Sequence, residues 1–183
     1  EWASVKKYMD IARTAPSNLK IRPTRNDKRI PINQAITASV TKSYNLIYYK
    51  ASGFLALLNR ATNEEQRNAL LDQAIQTSLD AKALDPSQPG SYALAALYSS
   101  VKGDKDNTIK YLDMGLSLDD IPDETKIALL VSAGQSVVRL GVFDKGLEYY
   151  EEALAMEPLE PTALKSLGAL YLAQDKFDAA LKN

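Results

Sequence analysis

Along this chain, apolar residues recur at the three- and four-residue intervals that align on one face of a helix. In "PTALKSLGALYLAQDKFDAALKN", residues 161 to 183, Leu164, Leu167, Leu170 and Tyr171 keep that interval. Gln174, Asp175 and Lys176 interrupt it, and Phe177, Ala180 and Leu181 resume it. The pattern predicts two short antiparallel helices. Upstream, Ile36, Val40, Tyr44, Ile47, Ala51 and Phe54 predict one long helix, and "NEEQRNALLDQAIQTSLDAKALDP" predicts its partner. Pro86, Pro89, Pro158 and Pro161 punctuate the joints. Pro89 and Pro161 sit where a first-turn proline loses no hydrogen bond.

The pattern repeats. A shift of 34 residues lays Leu130 on Leu164, Gly134 on Gly168, Phe143 on Phe177 and Gly146 on Ala180. A shift of 38 lays Ala95 on Ala133, Ala96 on Gly134, Leu112 on Tyr150 and Gly115 on Ala153, the four extra residues matching a turn at "IPDE", 121 to 124. A shift of 34 again relates Ala74 to Thr108, Ala81 to Gly115 and Leu84 to Leu118. A fixed period of this size marks a repeat architecture. The recurring small residues let paired helix backbones approach closely. Around them Leu130, Leu164, Val137, Tyr171 and Tyr150 fill the crossing.

The order is a large apolar residue, Leu or Ala, then Gly or Ala, Tyr or Val, an aromatic after a short turn, a small residue, Tyr or Leu, Ala, and Asp/Glu-Pro. It resembles the tetratricopeptide repeat, most clearly over 127–160 with its ending "YYEEALAMEP". The resemblance covers residues 40 to 183. It implies an all-α fold, a right-handed α-solenoid of antiparallel helix pairs, with four repeats at 34–88, 89–126, 127–160 and 161–183. Residues 1–18 read as an N-terminal helix, the second helix of a degenerate repeat, because Trp2, Tyr8, Ile11, Ala12 and Pro16 are spaced like Tyr150, Ala153 and Pro158. Residues 19–33 read as a basic linker. The repeat at 89 departs most from the pattern, with Ser99 where Val137 and Tyr171 stand, Thr108 in place of Ala and Asp120 in place of Pro.

In such a superhelix the first helices line a concave face. Helical spacing and the resemblance together assign to it Ala93, Leu97, Ser100 and Val101 in one repeat. The next contributes Val131, Gln135, Val138 and Arg139, and the last Lys165, Ala169 and Leu172. Members of the family that grip a chaperone's terminal carboxylate do so with Lys, Asn and Arg. Here Arg139 and Lys165 have no Asn beside them, which argues against that role and for an apolar peptide or helix as ligand. The competing reading is that these residues only pack against a capping helix or adjacent repeats.

Composition narrows the chemistry. There is no Cys and no His, so thiol nucleophiles, zinc-thiolate sites and Ser-His-Asp arrangements are excluded. Catalytic residues, cofactors and metals are therefore expected to be none. Glu148, Glu151 and Glu152 read as the solvated face of a helix. "DKDN" (104 to 107) and "LDDIPDE" (118 to 124) lack a glycine-turned calcium loop and read as helix caps and turns. The net charge of −1 is uneven: residues 1 to 50 hold 10 Lys/Arg and 3 Asp/Glu, and 51 to 183 hold 12 and 20. Five of the cations, Lys20, Arg22, Arg25, Lys28 and Arg29, lie in the linker, a solvated connector or a contact for an acidic partner or membrane surface. An acidic repeat body whose tyrosines lie on packing stripes argues against nucleic acid as a partner. No apolar run approaches the roughly 18 residues needed to span a bilayer.

The function expected is recognition: a scaffold or adaptor for a protein or peptide partner, with no enzymatic activity of its own. The alternative is a regulatory or substrate-recruiting portion of a larger enzyme or membrane protein, such as a glycosyltransferase or ligase. A soluble domain, cytoplasmic or bacterial periplasmic, fits either. The chain starts at Glu1 without Met or a signal-like stretch and stops inside a repeat, so it reads as a fragment. Leu170, Tyr171 and Phe177 are expected to lack cover at that end, which predicts a partly disordered terminus or an end-to-end homo-oligomer.

Overall fold

The computed structural model describes residues 20–21 and 30–173. Within them, a two-residue antiparallel pair, β1 (Lys20–Ile21) and β2 (Ile30–Pro31), sets Lys20 opposite Pro31 and Ile21 opposite Ile30. Seven helices follow among the described residues: α1 (Ile32–Leu58), α2 (Glu64–Leu84), α3 (Pro89–Lys102), α4 (Lys105–Leu116), α5 (Asp123–Arg139), α6 (Phe143–Met156) and α7 (Pro161–Ala173). The expected helix at 1–18 and the helix resuming at Phe177, Ala180 and Leu181 lie outside the described residues, as do Arg22, Arg25, Lys28 and Arg29.

Several helices start or stop for a local reason. Asn63 caps α2, its side chain accepting from Gln66 N at 2.8 Å, while Gln66 Oε1 accepts from Thr62 N at 3.0 Å. Asp104 caps α4 by accepting from Asn107 N at 3.0 Å, and its hydrogen bonds with Asn107 hold its carboxyl below the usual carboxylate range. Gly103 (φ 85°) and Gly141 (φ 75°) take the left-handed conformation that ends a helix cheaply. Asp120 takes it too, at φ 56°, without glycine's freedom. The expected turn at 121–124 is shorter than its sequence suggested. Asp123 and Glu124 already belong to the first turn of α5, where carboxylates meet the positive end of the helix dipole.

Short connections reverse the chain, so α1 pairs with α2, α3 with α4 and α5 with α6, and each second helix also packs on the next first helix. Stacked pairs of this kind make an α-solenoid. The close approaches fall on the small residues. The Tyr150 ring of α6 lies over Gly134 of α5, and Val138 of α5 lies over Gly146 of α6. Tyr48 of α1 likewise crosses Gly90 at the start of α3.

The core is divided into clusters along the stack. One cluster holds Ala51, Phe54, Leu71, Ala74, Leu94 and Tyr98, joining α1, α2 and α3. A larger one runs from Ala95 and Leu112 through Leu130 and Val137 to Tyr150, Leu167 and Leu170. Each large apolar side chain among them contributes about 1.5–3 kcal/mol on burial. Two tyrosines tie neighbouring repeats: Tyr98 Oη donates to the Ala51 carbonyl at 2.6 Å, and Tyr149 Oη to the Asp113 carboxylate at 2.8 Å. Leu170 corrects one expectation. It is 5% exposed inside the larger cluster, because α6 packs against α7, and Tyr171 is half-buried with its hydroxyl donating to Glu151.

Candidate functional site

Successive first helices meet one another across the stack, α3 against α5 and α5 against α7. Each meeting leaves a groove. Between α3 and α5 a cleft of about 190 Å³ is walled by Gly90, Ala93, Thr125, Ala128, Leu129 and Ser132. Between α5 and α7 the cleft widens to about 460 Å³, with Gln135, Val138 and Arg139 on one wall and Ser166, Ala169 and Leu170 on the other. Phe143 and Tyr150 close its end. Burial pushes the Tyr150 phenol above its usual pKa, and Ser166 lies beside it. Phe143 stays 46% exposed at the mouth. No carboxylate lines either groove among the described residues.

Charge is sorted between the two kinds of helix. The first helices α1, α3, α5 and α7 carry six Lys/Arg and two carboxylates, whereas α2, α4 and α6 carry five and ten. Lys126 pairs with Glu152 at 3.1 Å and Lys145 with Glu148 at 2.9 Å, while Lys102 pairs with Asp72. Among the described residues no three acidic side chains converge as a metal site would require. Nor is any helix there long and apolar enough to cross a membrane.

No family model matches the chain. The solved structure of TTC0263, a thermophilic TPR protein of Thermus thermophilus, superposes with a TM-score of 0.63 at 18% identity, covering 77% of this chain and 70% of that one. The chain has the fold of a tetratricopeptide-repeat solenoid. A second TPR-like neighbour, Acl4, the assembly chaperone of RpL4, superposes with a TM-score of 0.58 at 13% identity over 100% of this chain and 61% of its own. By sequence the array is 28% identical over 109 residues to the TPR repeat-containing protein YpiA of Bacillus subtilis (strain 168). That match takes in 60% of this chain and a quarter of YpiA, 25% of its length.

The array places the expected concave residues unevenly. Ala93, Gln135, Val138, Arg139 and Ala169 line the grooves. Lys165 and Leu172 are exposed on α7, and Leu97 is half-buried. Ser100 is a correction: it is 3% exposed and its hydroxyl donates to the Leu97 carbonyl at 2.8 Å, so it is turned away from any ligand. Val101 and Val131 are half-buried against the core clusters, and Val138 also seats on Gly146. Val101 and Val131 thus have little apolar surface to offer, whereas Val138 keeps part of its side chain on the groove.

Sequence reasoning missed Gly90, Thr125, Ala128, Ser132, Ser166 and Phe143. A signal for several of them exists. Thr125, Ala128, Ser132, Gln135 and Arg139 form one unbroken stripe at helical spacing along α5. Extending the exposed pair Gln135 and Arg139 toward the N-terminus of the helix recovers it.

Proposed function

We propose that the array is a protein-interaction scaffold that performs no chemistry itself and holds an extended or helical segment of a partner along its first-helix face. The observation that carries this reading is the pair of grooves between α3, α5 and α7, apolar along their walls and free of carboxylates among the described residues. Concave solenoid surfaces present several such grooves in a row, so a linear segment can seat successive side chains. The likeness to Acl4, named for chaperoning a single protein, supports a protein as the ligand.

The test fills the grooves without disturbing the core. Ala128 and Ala169 are exposed on groove walls, which makes Ala128→Trp and Ala169→Trp suitable; Val138 is unsuitable because it supports the α5–α6 contact. Ala155→Trp, exposed on α6, is the control. Immobilised array is expected to capture a partner that both groove variants lose and the control retains, with all three melting as the parent does. Capture that survives both groove substitutions would remove the concave face from the interaction.

A further inference from the structure

The distribution of charge on the first helices selects among segments that could lie there. Of the six cations on those helices, Lys102 and Lys126 are turned toward second helices and pair with Asp72 and Glu152. Arg139 instead stands on the wall of the α5–α7 groove, and Lys165 is exposed one turn before Ala169 on the opposite helix. The two carboxylates of the first helices, Asp123 and Glu124, lie in the opening turn of α5, about 23 Å along the helix from Arg139 at 1.5 Å per residue. Glu160 is engaged at the start of α7 with the Ala163 amide, and Asp144, next to Phe143, occupies the first turn of α6 outside the groove lining.

We propose that this groove anchors an apolar side chain of a partner segment that carries a carboxylate within one helical turn of it, and that Arg139 recognises that carboxylate. The inference rests on the concave-face reading and adds the chemistry of the segment. The groove's volume, about 460 Å³, falls in the roughly 300–1,000 Å³ range of ligand clefts, and Val138, Phe143, Ala169 and Leu170 give it apolar walls. An anchored side chain excludes water from beside the guanidinium, where a planar fork of donors meets a carboxylate through two parallel hydrogen bonds. The Gln135 amide, one turn earlier on the same wall, adds a neutral donor. A lysine or arginine at the same place in the partner would meet Arg139 and Lys165 with like charge, and no carboxylate lines the groove among the described residues to relieve it.

Two fluorescent peptides with a shared Leu-Phe-Leu core, one flanked by glutamates and one by lysines, test this by anisotropy at two salt concentrations. The glutamate peptide is expected to bind at least about tenfold more tightly, the effect of one well-placed charge-assisted pair, and to weaken as salt rises. Arg139→Glu is expected to abolish or reverse the preference, and Ala169→Trp to remove binding of both peptides; both positions are exposed, and unchanged thermal melts confirm folding. Equal affinities, a preference that survives Arg139→Glu, no binding of either peptide, or tighter binding of a single-stranded oligonucleotide than of the glutamate peptide would each overturn the proposal. Equal affinities that Ala169→Trp still abolishes would sink the charge selection and leave the groove in use. Peptide binding untouched by both Ala169→Trp and Ala128→Trp would sink the concave-face reading itself.

Discussion

Replacing Gly134 by alanine puts one methyl group at the closest approach of α5 and α6. The added Cβ would stand 2.5 Å from Tyr150 Cε1, 2.7 Å from Cζ and 2.9 Å from Cδ1. Carbons in contact prefer about 3.5–4.0 Å, so the ring or the helix must move by about 1 Å. The ring has little freedom, being 2% exposed within the larger core cluster. Overpacking of this kind costs about 1–3 kcal/mol. Alanine returns about 1 kcal/mol as the better helix former. With three ring atoms inside contact distance the strain sits at the upper end, and the net loss is about 2 kcal/mol. Gly53, exposed on α1 with nothing within 4 Å of an added Cβ, is the control. Gly53→Ala should gain about 0.5–1 kcal/mol. Urea denaturation followed by circular dichroism measures both. Hydrogen exchange localises the loss to α5 and α6, because a solenoid's stability is a sum of neighbour terms. Tyr150→Leu removes the obstructing ring, so the double variant should be less destabilised than the two single losses together, by about 1 kcal/mol. A Gly134→Ala protein as stable as its parent, beside a stabilised Gly53→Ala, would refute the close crossing of these helices.

Two further outcomes follow from buried polar groups. Ser99 Oγ is fully buried on α3 and meets no hydrogen-bond partner among the described residues. Ser99→Ala is expected to stabilise by about 1 kcal/mol, since an unpaired buried hydroxyl costs roughly 1–3 kcal/mol; a lower urea midpoint would show that the hydroxyl is satisfied after all. The phenols of Tyr98 and Tyr44 are each pushed up from 10.0 to about 12, chiefly by burial. The fold therefore favours their neutral form. Their contribution is fully present below pH 10, the ordinary phenol value, and is lost as pH rises through about 12. Thermal melts across that window should fall, and should fall less in Tyr98→Phe; parallel curves would exclude Tyr98 as a source of the loss.

Much of the architecture is legible in the residues. Ala96 recurs as Gly134 and Gly115 as Ala153, 38 residues on, because a backbone crossing tolerates little side chain, so spacing and size together announce paired helices. The binding face is less legible. Helical periodicity says that Ser100, Val101, Val131 and Val138 share a side with exposed neighbours, but not how far the next helix wraps around it. The crossing angle and the step from repeat to repeat turn Ser100 inward, hold Val138 on Gly146 and leave Thr125, Ala128 and Ser132 as groove wall.

The chain by itself determined the helix pairs, their turns and the places where backbones touch, because those depend on residues a few positions apart. Only the stacked structure decided which apolar stripes stay open and which cations stand beside them. Exposure and electrostatic surroundings are set by helices some 30 or more positions away, and no local pattern records that distance.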